Sequence, residues 1–134
     1  MAEPDKLKTE GAYKADTDNT HFDMKNLSRV NAADGYGQTL GPVIEGELTT
    51  VGLMTIASGV EAKLHSHPNE QWVYIIEGRV SATIDDRTME AGPGELIYFP
   101  PNSVHGSRVI SDEDCTFFTC KDLRSGIRGT PAYQ

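Results

Sequence analysis

The residues 59-GVEAKLHSHPNEQWVYIIEG-78 place two histidines on one predicted strand. His65 and His67 are two positions apart, so both side chains leave the same face of that strand. The same parity puts Gln71 on their face and directs Glu70 to the opposite one. Neutral imidazole is a good ligand for zinc, iron, nickel and copper. The spacing therefore indicates a candidate metal site.

A second stretch, 94-GELIYFPPNSVH-105, adds a third histidine, His105. Together the two stretches give the patterns G-x5-H-x-H-x3-Q-x6-G at 59–78 and G-x5-P-x-N-x2-H at 94–105. These patterns, in this order, resemble the two motifs of the cupin superfamily. The resemblance extends over about Val43–Cys120.

The resemblance implies an all-β fold, namely a single-domain antiparallel jelly-roll β-barrel with one divalent transition metal inside its mouth. Carried over position by position, the metal ligands are His65, His67, Gln71 and His105. The resemblance does not select among Fe, Mn, Ni, Zn and Cu. The chain departs from the family pattern at Gln71, where glutamate is most common, and at Val109, where asparagine is frequent.

From Val43 onward the chain predicts short strands only. Turn-forming residues separate the apolar runs, and no window holds a helical i, i+3, i+4, i+7 repeat of substantial length. The strands are predicted at 47–57, 62–67, 71–77, 79–84, 88–90, 95–100, 107–110 and 116–121. Many short strands joined by tight turns are typical of a sandwich or a barrel.

The composition divides the chain into three parts. Residues 1–20 are polar and lack periodicity, which predicts a flexible N-terminal tail. The alternative is an arm that adds a strand to a partner subunit. Residues 21–121 carry the predicted barrel, and residues 122–134 return to glycine, proline and charge, which predicts a C-terminal segment on the surface.

Charge and composition argue against several classes of partner. The 134-residue chain has a formal net charge of −8, which disfavours binding to nucleic acid or to an anionic membrane. No apolar run approaches the roughly 20 residues of a membrane span, and the N-terminal stretch lacks the apolar core of a secretory signal. Two cysteines, Cys115 and Cys120, are too few for a disulfide framework. We expect a cytoplasmic protein whose partner is a small-molecule substrate or ligand.

Gln71 shapes the chemistry that the resemblance implies. Neutral ligands leave a divalent metal with a net charge of about +2, which attracts anionic substrates. This glutamine variant also resembles cupins that linearise unsaturated uronates. We expect a metal-dependent enzyme of isomerase or lyase type, which stabilises an enediolate- or enolate-like intermediate of a small oxygenated, anionic metabolite. The alternatives are an Fe-dependent dioxygenase at the same site and a non-catalytic small-ligand-binding module.

Glu70 and Tyr98 are the candidates for a general acid or base. Glu70 is also the rival of Gln71 as a metal ligand, and Gln71 has the alternative role of hydrogen-bonding the substrate. Arg124 and Arg128 belong to a segment that either folds over the mouth, where they would pair with a substrate carboxylate, or stays in solvent.

An outward-facing apolar stripe lies on the strand that follows the first two histidines. By parity Trp72, Tyr74 and Ile76 point away from the barrel interior, although all three side chains are large and apolar. Such a stripe on the outside of a small barrel is typical of an interface between subunits. We therefore expect a homodimer.

Overall fold

The computed structural model describes residues 7–132, and within them the only helix is a single 3-10 turn at Met24–Asn26. No helix in this part of the chain is long and apolar enough to cross a membrane. The strands are β1 (Tyr13–Lys14), β2 (Val30–Asn31), β3 (Leu40–Gly41), β4 (Val43–Glu45), β5 (Thr49–Ile56), β6 (Glu61–Ser66), β7 (Gln71–Glu77), β8 (Val80–Ile84), β9 (Arg87–Ala91), β10 (Leu96–Phe99), β11 (His105–Val109), β12 (Cys115–Asp122) and β13 (Thr130–Pro131).

The strands form two sheets whose inner faces pack together. The first sheet has the order β1-β4-β5-β12-β7-β10, with β3 also pairing with β5 and β2 with β3. The second has the order β13-β6-β11-β8-β9. All pairings among the described residues are antiparallel except that of β1 with β4. The predicted all-β jelly roll is confirmed, although no strand pairing within residues 7–132 closes the two sheets into a continuous barrel.

Alternating apolar residues from both sheets fill the core. Every second residue of β5 and of β12 is buried, as expected when one face of a strand meets the core and the other does not. Met54 and Ile75 of the first sheet are wholly buried and belong to the same cluster as Ala82 and Val109 of the second. The eight strands predicted from sequence are present with ends within two residues of the prediction, and 71–77 coincides with β7.

The N-terminal segment differs from the expected flexible tail. Residues 7–15 pack on the first sheet, with Thr9 and Ala12 buried and β1 pairing with β4, whereas residues 16–20 are exposed. The cause is Glu45, whose buried carboxylate accepts hydrogen bonds from the backbone N–H groups of Lys8 (2.9 and 3.2 Å) and Thr9 (2.8 Å). Residues 1–6 of the predicted tail lie outside the described residues.

The C-terminal segment is also more deeply placed than the surface location expected for 122–134. Ile127 is only 2% exposed and joins the main core cluster, while β13 pairs with β6. The two terminal segments meet, since the Ile127 backbone N–H donates to Thr9 Oγ1 at 2.7 Å. Residues 133 and 134 lie outside the described residues.

A cluster of large apolar side chains lies on the outer face of the first sheet. Trp72, Tyr74 and Ile76 are 43%, 46% and 48% exposed, which confirms their predicted outward direction. Tyr98 of β10 is paired with Trp72, and Phe118 of β12 is paired with Tyr74. We call Trp72, Tyr74, Ile76, Leu96, Tyr98 and Phe118 the outer patch; it borders β10, the edge strand of the sheet.

The role of Glu45 gives a prediction about stability. In Glu45→Gln the amide nitrogen would face backbone N–H donors, so we expect the free energy of unfolding to fall by about 1–3 kcal/mol. The amides of Lys8 and Thr9 should also lose protection from hydrogen exchange. Glu47→Gln, which changes an exposed carboxylate in the adjacent turn, is the matched control. Unchanged stability and unchanged protection in Glu45→Gln would contradict this role.

Candidate metal centre

Three buried histidines meet at one end of the interior between the sheets. His65 of β6 and His105 of β11 are paired across the two strands, and His67 lies just beyond the end of β6. Their exposed fractions are 8%, 3% and 3%. One ring nitrogen from each lies within 4.8 Å of the others. The sheet therefore brings together all three histidines that the sequence singled out.

Local backbone geometry lets the two motifs converge. The N–H of Asn102, a residue in the left-handed region with φ 63°, donates to the His67 carbonyl at 2.8 Å, which fixes the loop before β11 against the end of β6. β11 then bulges at Gly106, where a Cβ atom would lie 2.7 Å from the Ala62 carbonyl oxygen. Glycine is required there because β6 and β11 approach too closely for a side chain.

The same kind of hydrogen bond sets the tautomer of all three rings. Each Nδ1 lies at hydrogen-bonding distance from a backbone carbonyl oxygen two residues away, and a carbonyl only accepts. The acceptors are Lys63 for His65 (2.7 Å), Asn69 for His67 (3.0 Å) and Ser103 for His105 (3.0 Å). The Nδ1 atoms therefore carry the protons, and each Nε2 presents a lone pair, as in a metal-ligating histidine. The buried Nε2 of His105 has no hydrogen-bond partner among the described residues.

Gln71 turns its carbonyl oxygen toward the same place. Its Nε2 donates to Thr119 Oγ1 at 2.8 Å, and the Thr119 hydroxyl donates in turn to the Trp72 carbonyl at 3.0 Å. This leaves Gln71 Oε1 at 3.1 Å from His67 Nε2. Two acceptors thus face each other, an arrangement that a cation between them would stabilise. The neutral nitrogen donors and this amide oxygen fit a divalent transition metal.

Burial keeps the three rings uncharged. It lowers the pKa of His65 and His67 to about 4 and that of His105 to about 3. The positive charge of Lys121 lowers all three pKa values further. At neutral pH the rings are therefore unprotonated at Nε2, which is the state that binds a metal.

Aromatic side chains hold two of the rings. The Tyr36 ring stacks on His65 with centroids 3.9 Å apart, and its hydroxyl accepts from the Gly129 N–H at 2.9 Å. Phe99 packs against His105 with centroids 4.5 Å apart. Tyr36 was not predicted from the sequence, because it lies in the loop between β2 and β3, before the stretch that resembles the cupin motifs.

A cavity of about 90 Å³ adjoins the histidines. His65, His105, Gln71 and Lys121 line it together with a larger number of apolar side chains. The largest of these are Met54, Ile56, Ile75, Ile97, Phe99, Phe117 and Ile127. The site therefore combines a polar end that can bind a metal with a mainly apolar interior, as small-molecule sites commonly do.

Lys121 lines the cavity as a charged residue that was not predicted from the sequence. It is 3% exposed, and its Nζ donates to the Ile127 carbonyl. Burial lowers the pKa of Lys121 to about 7, partly offset by the negative charge of Asp122. The signal was available, because Phe117, Thr119 and Lys121 alternate on the inward face of one predicted strand.

The candidates for a general acid or base lie elsewhere. Tyr98 donates a hydrogen bond to Glu70 Oε1 at 2.9 Å, and both side chains are on the outer face of the first sheet. This placement agrees with strand parity, which directs Gln71 toward the histidines and Glu70 away from them. Arg124 is exposed beside Asp122, while the Arg128 Nε–H donates to the Asn31 carbonyl at 3.1 Å, and neither lines the cavity.

The lowered histidine pKa values predict a pH-dependent stability of the metal-free protein. As the pH falls below about 6.5, the unfolded chain takes up protons on these residues before the folded chain does, so the free energy of unfolding decreases toward pH 4. We expect the melting temperature of chelator-treated protein to fall over this range. His105→Leu should flatten the dependence, whereas His21→Leu, which changes an exposed histidine, should preserve it. If the melting temperature of His105→Leu depended on pH as strongly as that of the wild-type protein, a lowered pKa of His105 would be refuted.

Comparisons with known proteins agree with this architecture. The chain is 28% identical over 98 residues to MJ1618, an uncharacterized protein of Methanocaldococcus jannaschii, a match that covers 72% of this chain and 70% of the relative. The polyketide cyclase RemF of Streptomyces resistomycificus has a TM-score of 0.58 at 22% identity, with 65% of this chain and 62% of that chain covered. The oxalate decarboxylase of Bacillus subtilis, a protein with Mn(II) centres, has a TM-score of 0.57 at 23% identity, with 63% and 24% covered.

At these identities the structural matches show the fold alone. A family model described as a cupin domain matches residues 52–120, which is slightly more than half of the chain. The match runs from within β5 to within β12 and includes the three histidines and Gln71. The chain therefore belongs to the cupin domain family.

Proposed function

We propose that the protein is a metal-dependent enzyme of isomerase or lyase type that acts on a small oxygenated, anionic metabolite. The observation that carries the proposal is the set of unprotonated ring nitrogens gathered within 4.8 Å, with the Gln71 carbonyl oxygen beside them and no donor aimed at His105 Nε2 in residues 7–132. Such a set of lone pairs is stabilised by a cation.

The residues that would hold the metal are His65, His67, His105 and Gln71. A divalent Fe, Mn, Ni, Zn or Cu ion bound there supplies a Lewis acid that stabilises negative charge developing on a substrate oxygen, as in an enolate or enediolate. The surrounding side chains fix the donors in advance: Tyr36 holds the His65 ring, and Thr119 fixes the Gln71 amide. The mainly apolar cavity limits the water that accompanies a substrate.

The neutral ligand set supports an anionic substrate. No carboxylate belongs to the cluster of potential ligands, so the charge of a bound divalent ion is not reduced by the protein. The names of two structural neighbours, a polyketide cyclase and an oxalate decarboxylase with Mn(II) centres, support chemistry of the isomerase and lyase classes on this fold. The following experiments distinguish this function from the two alternatives, an Fe-dependent dioxygenase and a non-catalytic binding module.

The proposal predicts the metal content of purified variants. Wild-type protein prepared without chelators or a histidine tag should hold about one transition metal per chain, and His65→Ala and His105→Ala should each lose it. Gln71→Ala should weaken metal affinity by about tenfold, because three ligands remain. Glu70→Ala is the matched control, since its side chain faces the outside of the sheet, and it should keep the metal. Mass spectrometry measures the metal content of the wild-type protein and of each variant.

The same preparations test the reaction. Metal-loaded wild-type protein in D2O should incorporate deuterium beside the carbonyl of one member of a panel of 2-oxo acids, 2-hydroxy acids and unsaturated uronates, and His105→Ala should not. Iron together with oxygen uptake on a member of this panel would replace the proposed reaction by the dioxygenase. A bound metal without deuterium incorporation or oxygen uptake would favour a non-catalytic binding module. The absence of any bound metal would refute the metal site.

We also propose that two copies of the chain associate through the outer patch. Its aromatic and aliphatic side chains are between 38% and 56% exposed and adjoin the open edge of β10, features typical of surfaces that pack against another subunit. The two copies would use the same patch, as in a two-fold symmetric dimer.

The dimer prediction is tested by light scattering after gel filtration. Wild-type protein should have the mass of a dimer, and Tyr74→Glu should shift it to a monomer, because a carboxylate would be buried in the apolar interface. Thr88→Glu, on an exposed position of β9 in the other sheet, adds the same charge and should remain dimeric. A monomeric wild type, or a dimeric Tyr74→Glu, would refute the interface.

A further inference from the structure

We propose that Lys121 binds the anionic group of the substrate, and that the substrate is a compact monoanion with a chelating oxygen and an apolar body. This inference rests on the proposed function and extends it to a residue and a ligand class. Lys121 replaces Arg124 and Arg128 as the source of positive charge, since it lines the cavity and they do not.

The position of Lys121 places its charge beside the histidine cluster. It is paired with Gln71 across β12 and β7 and lies two residues beyond Thr119, which fixes the Gln71 amide. The positive charge of Lys121 lowers the pKa of all three histidines. A substrate that reached the metal ligands would therefore be close to the lysine as well.

The hydrogen bonding of Lys121 is incomplete. An ammonium group has three N–H donors, and in residues 7–132 the only acceptor recorded for Lys121 is the carbonyl of Ile127. That carbonyl is held in place because the Ile127 N–H donates to Thr9 Oγ1. The lysine is thus anchored at one point and, when protonated, retains donors for a ligand. Burial lowers its pKa to about 7, so the free protein is only partly protonated there at neutral pH, and an anion bound beside it would favour the ammonium form.

No carboxylate within the described part of the chain lies within 4.0 Å of Lys121. Its neighbour Asp122 is directed elsewhere, since that carboxylate accepts from the backbone N–H groups of Glu70 and Arg124. Buried charges in proteins are normally paired. A ligand carboxylate or enolate would supply the missing counter-charge.

The rest of the cavity defines the remainder of the ligand. Apart from the metal-ligating end and Lys121, its wall is mainly apolar and includes Met54, Ile75 and Phe117, with the hydroxyl groups of a few residues such as Thr39 and Ser107 among them. The cavity volume of about 90 Å³ favours a small ligand. A single anionic group followed by a compact apolar portion fits this mainly apolar lining better than a polyanion does.

The test compares an anion with its neutral isostere. Calorimetry on the zinc-loaded full chain should show that lactate binds more tightly than lactamide, which has the same shape and hydroxyl group but no charge. In Lys121→Met lactate affinity should fall by about 10- to 100-fold, the range expected for loss of a charge-assisted hydrogen bond, while lactamide affinity changes by less than about threefold. Lys25→Met removes an exposed lysine and should change neither affinity.

The possible results separate this inference from the proposed function. Zinc stoichiometry and melting temperature are measured for each variant, and Lys121→Gln replaces Lys121→Met if the latter does not fold. If zinc binds but lactate and lactamide bind equally, or if lactate affinity survives both substitutions, the inference fails while the metal site stands. If wild-type protein takes up no metal, the proposed function fails, and the inference with it.

Discussion

The burial of three uncharged imidazole rings against one another is the constraint to which the surrounding structure conforms. Each ring gives up its water on folding, and a polar atom that loses water without gaining a partner destabilises the folded state. The Nδ1–H of every ring donates to a backbone carbonyl. The Nε2 of His105, by contrast, has no hydrogen-bond donor among the described residues. The interior therefore contains a lone pair, that of His105 Nε2, which the described residues leave unsatisfied.

Much of the remaining architecture supports this arrangement. The pairing of β6 with β11 sets the distance between His65 and His105, and the bulge at Gly106 allows that pairing to be close. The terminal segments contribute from outside the two motifs: Gly129 donates to the tyrosine that stacks on His65, and Ile127 accepts from the buried lysine. Glu45 in turn keeps the N-terminal segment in contact with Ile127 through Thr9. The terminal segments are thus part of the site rather than additions to it.

The sequence was sufficient where periodicity or motif spacing carried the information. Strand parity placed His65, His67 and Gln71 on the inner face and Trp72 on the outer one, and the ends of β7 were predicted to the residue. The sequence was insufficient where contacts between residues distant in the chain position a segment. Residues 7–15 have the composition of a tail, yet they dock on the sheet through the Glu45 carboxylate, about 36 residues away in the chain, and through the pairing of β1 with β4. Lys121 was missed although strand parity directs it inward with Phe117 and Thr119, because a lysine at the end of a strand is ordinarily exposed.

The charges in the cavity explain why these separate features belong together. Among residues 7–132, three neutral rings and one amide leave the charge of a divalent ion undiminished, and Lys121, when protonated, adds a further cation with no carboxylate within 4.0 Å of it. Such an excess of positive charge is unfavourable in a largely apolar interior. In an ordinary structural metal site the protein would supply the compensating charge, for example as glutamate at position 71. In the proposed function the compensation comes from the substrate, whose negative charge would complete the site. Gln71 and Lys121 would then act in the same direction, because the amide supplies no negative charge and the protonated lysine supplies a positive one, and both would favour an anion.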